Sequence, residues 1–400
     1  MGCSIMSELK VDTIVNLAGT GKPNLPVSPT LEGAAISAAN TYSYTSSATE
    51  PSSPKNGAIW WDSANEKVMV YINGEFKEIS LNASSSSGPH NYGDRAFQIG
   101  YKNGSQSSDI SYWSMTSSGN AADFGDLSSG TVYKTGCCSD GTYAFRLAGQ
   151  NYNGGYVLDN EIERWATATL GNASDFGDLT SVSMNNHGDS NGSRAVISKG
   201  RVGSASSSSN QSNYTGKFDY FSTATAGNAT DFGDDDIGRD QSTCCANATR
   251  MVSMGGYRDP NYLKVMDYIT FDTTGNAVSF GDLTQENHIA AGAGTGEGQR
   301  GLHMGGLNKP GNTGSSSYVN RIEYIDVDTA GNATDGGDLL GVAGYGGGCS
   351  NATLAHHFGR SGSSYDVIQQ TVLATAANAT DFGDLIGNGD LSFGTSGAAS

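Results

Sequence analysis

The sequence is short of the residues that build helices. Leu, Glu, Lys and Arg are sparse, only 16% of residues are charged, and no stretch keeps an apolar i, i+3, i+4, i+7 stripe. A helical bundle is excluded; a turn-rich all-β chain remains. Basic charge is also scarce: 22 Lys and Arg stand against 40 Asp and Glu, a net charge of −18. Such a chain repels phosphate backbones, so no nucleic-acid partner is expected. No apolar run approaches the ~18 residues of a membrane span, and no membrane insertion is expected. The start, "MGCSIMSELK", lacks the basic and apolar regions of a signal peptide. Its Met6 does not fit the myristoylation pattern and offers an alternative start. No CxxC spacing links the six cysteines, which are Cys3, Cys137-Cys138, Cys244-Cys245 and Cys349; reduced thiols are expected. GxSxG, HExxH, P-loop and dinucleotide fingerprints are all missing, so no cofactor, metal or enzymatic activity is expected.

What the chain has in abundance is Gly, 56 of 400 residues, and a motif that returns. It reads "GNAADFGDL" (119–127), "GNASDFGDL" (171–179), "GNATDFGDD" (227–235), "GNAVSFGDL" (275–283), "GNATDGGDL" (331–339) and "ANATDFGDL" (377–385). Its Asn residues, at 120, 172, 228, 276, 332 and 378, are 52, 56, 48, 56 and 46 residues apart. Repeats of roughly 40–50 residues in a β-rich chain predict propeller blades of four strands, a to d. Ten residues before each Asn stands an apolar residue (Ile110, Ile162, Phe218, Met266, Ile322, Ile368), inside a predicted strand c. Strands b are predicted to start at 95, 143, 194, 250, 300 and 354, each after a short turn such as "SDGT" or "SNGS".

A sixfold Asp column is no catalytic pair, which would be unique. Phe124, Phe176, Phe232, Phe280 and Phe382, with Gly336 the exception, are expected to pack between blades. Asn and Gly are expected to supply positive φ in the c–d turn, and the last Asp of the motif to cap backbone N–H groups. Calcium is disfavoured because the acids lack D-x-D-x-D spacing. Glycosylation is disfavoured because the sequon is the repeat itself.

Length variation separates scaffold from surface. From each Asn to the next strand b the distance is 22–24 residues; from the start of b to the apolar residue of c it runs from 14 to 24. The b–c loops vary, and in a propeller they share one face with the d–a segments. That face is expected to gather Tyr101, Lys102, Tyr152, Tyr156, Arg201, Tyr214, Tyr257, Arg258, Tyr262, Asn308, Lys309, Tyr318 and Tyr365. Tyr joins an apolar plate to a polar tip, which suits a sugar or a protein epitope, or simply packs long loops. Off-pattern acids in d–a segments (Asp235, Asp236, Asp240, Glu297) are where a polysaccharide hydrolase would hold its acid/base pair. Cys138, Cys245 and Cys349 share one column with Asp189, Thr295 and His90, and are read as small buried residues. The other histidines, 187, 288, 303, 356 and 357, form no chelating pattern, and His356-His357 in a strand would face opposite ways.

The segments "RMVSMGG" and "RGLHMGG", ending at Gly255-Gly256 and Gly305-Gly306, with "YID" in a following strand, resemble kelch-type repeats. Phe replaces the Trp usual there, and other b strands end in a single Gly. The N-terminal "SELKVDTIVNLAGTGKPNLP" (7–26) closely resembles the attachment segments of virion structural and tail-fibre-like proteins of marine phages, especially cyanophages. The resemblance covers about 25 residues. It implies a virion location, docking to other virion proteins and a possible homo-trimer, with a host surface glycan or protein as ligand; a capsid or tail decoration without host ligand and a polysaccharide-degrading enzyme are the alternatives. "GAIWWDSANEKVMVYINGEFKEI" (57–79) predicts a three-stranded meander with Trp60 and Trp61 on opposite faces. The expected order is therefore an extended anchor (1–55), a small β meander (56–81), a Ser-rich linker (82–93), a six-bladed kelch-like propeller (94–390) and a tail (391–400). Ring closure is expected from "GPHNYG" or from "GNGDLSFGTSG" (387–397).

Overall fold

The computed structural model describes residues 30–31, 34–35, 44–47, 49–54, 58–62, 67–72, 75–79, 93–102, 105–151, 157–203, 214–293, 300–351, 353–375 and 377–387. All regular elements among them are strands, apart from one 3-10 turn at Pro310–Asn312. The chain divides into two compact units, Met1–Ser85 and Ser86–Ser400.

In the first unit, Ile59–Asp62, Lys67–Ile72 and Glu75–Ile79 form the expected antiparallel meander. A fourth strand, Tyr44–Ser47, joins it in parallel, so the sheet begins earlier than residue 56. Trp60 holds that strand: its Nε1 donates to the Ser47 carbonyl (3.0 Å), and its ring meets Phe76 edge-on at 5.2 Å. The Trp61 side chain and the 7–26 segment lie outside the described residues.

The second unit carries the repeats. In the third, His187–Ser190, Arg194–Ser198, Lys217–Ser222 and Thr230–Asp234 pair in that order as an antiparallel sheet. The sixth repeats it with Gly347–Ser350, Leu354–Ser361, Ser364–Val372 and Thr380–Asp384. Strands b start at 95, 143, 194, 250, 300 and 354, as the spacing predicts. The first repeat shows strands b, c and d; both candidate closing segments lie largely outside the described residues.

The recurring motif is a clasp between neighbouring repeats. The Asn172 Oδ1 accepts from the backbone N–H of Asp126 (3.1 Å), and Ala173 N–H donates to the Asp126 carbonyl (2.8 Å). Asn228 grips Asp178, Asn276 grips Asp234, Asn332 grips Asp282 and Asn378 grips Asp338 in the same way. Asn120 of the first repeat grips Asp384 of the last (3.1 Å). This corrects two expectations. None of the six Asn has positive φ, because its side chain works across the junction and not within its own turn. The Asp column acts through its backbone, and its side chains reach solvent or an exposed lysine such as Lys217.

Glycine before the Asp is a demand of the clasp. It sits at a bulge, opposite the apolar residue of strand c, in all six repeats. A Cβ on Gly177 would stand 2.2 Å from the Gly227 carbonyl oxygen, and one on Gly233 would stand 2.1 Å from that of Gly275.

Six apolar clusters fill the junctions. Phe97, Ile110, Phe124 and Leu127 of the first repeat pack with Ala144, Trp165 and Ala173 of the second. The sixth cluster joins Phe358, Ile368, Phe382 and Leu385 to Ala96, Trp113 and Met115 of the first repeat. Each buried Phe is worth roughly 2–3 kcal/mol against exposure. Between repeats five and six the two large columns carry Gly336 and Thr371, and Leu373 fills the core.

A buried polar column runs beside the apolar one. The residue after the apolar position of strand c accepts backbone N–H groups that follow the preceding strand d. Glu163 accepts from Ser128 (2.6 Å) and Ser129 (3.0 Å), Asp219 from Thr180 (2.9 Å), Glu323 from Thr284 (2.8 Å) and Gln369 from Leu340 (2.6 Å). Burial opposes the Glu163 charge, but Arg146 and the serines outweigh it and hold its pKa below the ordinary value.

Two outcomes follow from this packing. Asn228→Ala is expected to cost about 1 kcal/mol, one hydrogen bond. Gly177→Ala at the same junction is expected to cost about 2–3 kcal/mol, through overpacking. Urea denaturation reads both, and equal or absent losses would deny the clasp its role.

All five described histidines are buried, with pKa values pressed down to about 3 (His187, His288) or about 4 (His303, His356, His357), chiefly by burial. The unfolded chain, with histidines near 6.5, therefore binds more protons below that pH. Stability is expected to be full above pH ~7 and lost as pH falls from about 6.5 towards 4. Melting temperature across pH 4–8 measures it; a flat profile would contradict the burial of these rings.

Candidate functional site

The d–a segments hold a strained feature that residue types do not announce. Two positions before each described strand a stands a non-glycine residue in the left-handed region: Lys134 (φ 57°), Asn185 (55°), Gln241 (55°), Ile289 (55°) and Tyr345 (59°). A β-branched Ile there is a genuine outlier. Each such residue costs of order 1–3 kcal/mol and persists where its surroundings fix it. They are linked by backbone bonds, with Asn185 N–H donating to Lys134 O (2.8 Å), Ile289 to Gln241 (2.9 Å) and Tyr345 to Ile289 (3.0 Å).

Around these segments the varied loops converge. Asp240 is fully buried and accepts from Arg201 Nε and from Asn185 Nδ2 (2.9 Å). Burial lifts its pKa to about 6, against the pull of Arg201, Asn185 and Lys134. Arg201 also donates to the Tyr214 hydroxyl (2.7 Å) and lies over its ring, 4.5 Å from the centroid. Tyr214 meets Tyr257 at 6.2 Å, Tyr257 meets Tyr262 at 5.7 Å, and Tyr262 packs on His288 at 4.2 Å. Lys309 Nζ lies 5.7 Å over Tyr262, and the Tyr257 hydroxyl donates to Asp259 Oδ1 (2.9 Å). In a second group Arg360 stacks on Tyr318 (4.0 Å) and Tyr365 (5.4 Å), and Tyr318 meets Tyr345 at 6.2 Å. Burial pushes the Tyr214 and Tyr345 phenols up to about 12, so both are neutral hydrogen-bonding groups.

Of the residues singled out in sequence, Arg201, Tyr214, Tyr257, Tyr262 and Lys309 form one contiguous group. Tyr318 and Tyr365 form the other, and Arg258 is exposed beside the first, at the short hairpin Tyr257–Arg258 to Asn261. Two expectations are corrected. Asn308 is 1% exposed and donates to Gln285 Oε1, so it ties strands together and offers no surface. Arg201 is largely buried by its pairing with Asp240, and serves as a support for Tyr214. Tyr152 and Tyr156 lie outside the described residues, as do the side chains of Tyr101 and Lys102.

Among the described residues the off-pattern acids do not converge as an acid/base pair. Asp235 occupies the position filled by Leu in five repeats and is held by Arg239, which also binds Asp267. Asp236 is exposed, Asp240 is engaged as above, and Glu297 lies outside the described residues. Cys138, Cys245 and Cys349 are free, buried thiols, with pKa raised by burial; Thr295 and His90 of that column are outside the described residues. His356 Nδ1 accepts from Trp113 Nε1 (2.9 Å) across the junction of the last and first repeats. Among the described residues no group of three or more His, Cys, Asp or Glu could hold a metal ion.

No family model matches the chain, and no curated protein does. Among solved structures, one titled "Structure of YjhT" superposes with a TM-score of 0.55 at 12% identity, over 71% of this chain and 97% of that one. At this identity the likeness speaks for the fold alone.

The Arg201–Asp240 pair predicts an asymmetric response. Arg201→Ala leaves a buried carboxylate without its cation and is expected to cost roughly 3–5 kcal/mol. Asp240→Asn, which keeps an acceptor towards Arg201, is expected to cost clearly less. Denaturant midpoints compare them, and the reverse order would refute the pairing as described.

Proposed function

We propose that the six repeats form a closed, six-bladed kelch-like propeller displayed on a phage particle, and that its b–c and d–a side binds a host surface molecule. The fold reading draws support from the clasp and apolar cluster that recur between the last and first repeats, and from the YjhT likeness. One observation carries the binding reading: the half-buried tyrosines Tyr214, Tyr257 and Tyr262 gather, with cations, beside a strained, hydrogen-bonded set of d–a residues. Strain of this kind is retained where function fixes geometry, and rigid Tyr plates are economical contact surfaces. The opposite a–b and c–d side repeats one feature in five of the six repeats. There Arg95, Arg194, Arg250 and Arg300 each stack on a strand-c Tyr, and in the second repeat Tyr143 and Arg164 exchange places.

The particle reading rests on the 7–26 resemblance, which implies attachment to other virion proteins and permits a trimer. The expected outcome is that particles carrying the chain without residues 1–55 lose it, whereas antibody against residues 94–387 labels the exterior of intact particles in electron micrographs. Retention of the truncated chain, or failure to label, would refute display through this anchor.

A further inference from the structure

The Tyr257–Tyr262 corner has a donor–acceptor imbalance that points to a class of ligand. His288 is 7% exposed and packs against both rings. Its Nδ1 sits 2.8 Å from Gln241 Oε1, an acceptor, so Nδ1 carries the proton and Nε2 is a bare acceptor. That Nε2 has no hydrogen-bond partner. The nearby Asp240 Oδ1 and Asn185 Oδ1 are likewise buried acceptors without a donor. A buried acceptor left unmet is costly, so each marks a place where a donor belongs.

A ligand matched to this corner brings donors. An anionic one is disfavoured, because the unmet groups are acceptors and the Asp240 and Asp259 carboxylates belong to the same cluster. A cationic one is disfavoured, because Arg201, Lys309 and Lys134 already supply positive charge beside the Asp240 carboxylate and the tyrosines. A hydroxyl meets the need through a relayed water, since the acceptor atoms are themselves buried, and tyrosine rings offer flat apolar area to the C–H face of a sugar.

We propose that the Tyr257–Tyr262–His288 corner is a binding site for a neutral saccharide, which stacks on the tyrosines and whose hydroxyls serve the unmet acceptors through relayed water. This rests on the reading of the b–c and d–a side as a binding face, and it names the chemistry.

The test is native affinity electrophoresis of the full chain through gels containing dextran, mannan or galactan, set beside alginate and chondroitin sulfate. At least one neutral polymer is expected to retard the wild type while the anionic polymers leave it unaffected. Tyr262→Ala and His288→Leu are each expected to weaken that retardation at least tenfold, while Tyr262→Trp keeps it. Thermal melting confirms that each variant is folded. Should Tyr262→Ala not fold, the His288→Leu and Tyr262→Trp pair decides. Retardation by anionic polymers alone, by none, or equally in folded His288→Leu would overturn the assignment. Host-cell binding by the same wild-type protein without any neutral-polymer retardation would overturn the saccharide and leave the binding face standing.

Discussion

The hydrogen bond from an Asp backbone N–H to the Asn side chain of the next repeat is the constraint on which the rest depends. It makes a local turn answer to a distant partner: the c–d hairpin of one repeat is completed by strand d of another. The glycine before the Asp, the bulge it occupies and the Ala after the Asn all follow from bringing two backbones that close. The apolar clusters obey the same logic. Each draws on two repeats, so a single repeat has half a core, and stability is a property of junctions. Where one junction lacks its Phe, at Gly336, its opposite number Thr371 is also small and Leu373 supplies the volume.

With the framework fixed at the junctions, the two sides of the repeats diverge in content. On the a–b and c–d side, turns are short and an Arg–Tyr stack recurs in five of the six repeats. On the other, the b–c loops differ and the d–a segments bear left-handed, non-glycine residues. Glycine would relieve the strain at those positions. Lys, Asn, Gln, Ile and Tyr stand there instead, which places large side chains where a smaller residue would be cheaper.

Much of this was legible in the sequence because repetition averages out local ambiguity. Six aligned copies located every described strand b and the c–d turns, and the contrast between constant and variable spacing marked the side that holds Tyr214, Tyr257 and Tyr262. The N-terminal meander was readable from alternation, but its parallel partner Tyr44–Ser47 was not, since parallel pairing leaves no turn signal. The Asn columns were noticed and misassigned. Asn is common in turns for its own backbone geometry, and nothing in one copy reveals that its side chain serves a neighbour. The left-handed d–a residues left no trace, having no residue type in common. The Glu163, Asp219, Glu323 and Gln369 column was overlooked because chemistry alternates among acids, amide and length. Asn308 reads as surface in the sequence, since a polar residue in a variable loop gives no sign of its burial.

The buried charges bear on why the candidate face lies where it does. Arg146 with Glu163, Lys199 with Asp219, Arg239 with Asp235 and Asp267, and Arg201 with Asp240 sit in repeats two to four, and Arg321 with the buried Glu323 lies in the fifth. Well-packed apolar residues do as well or better for stability in such positions, and Leu stands in five repeats where Asp235 stands in one. The ion pairs therefore need another reason. Arg239 reaches the carbonyls of Gly255 and Val265, at the point where strand b of the fourth repeat turns into the Tyr257 hairpin. Arg201 holds Tyr214 from below while Asp240 pairs its backbone with Tyr257. Directional, charge-assisted bonds fix loops that apolar packing would leave free to slide. On this view the polar departures from the repeat are the scaffold of the tyrosine cluster, and their place in the chain marks the part of the face that is built to hold a shape.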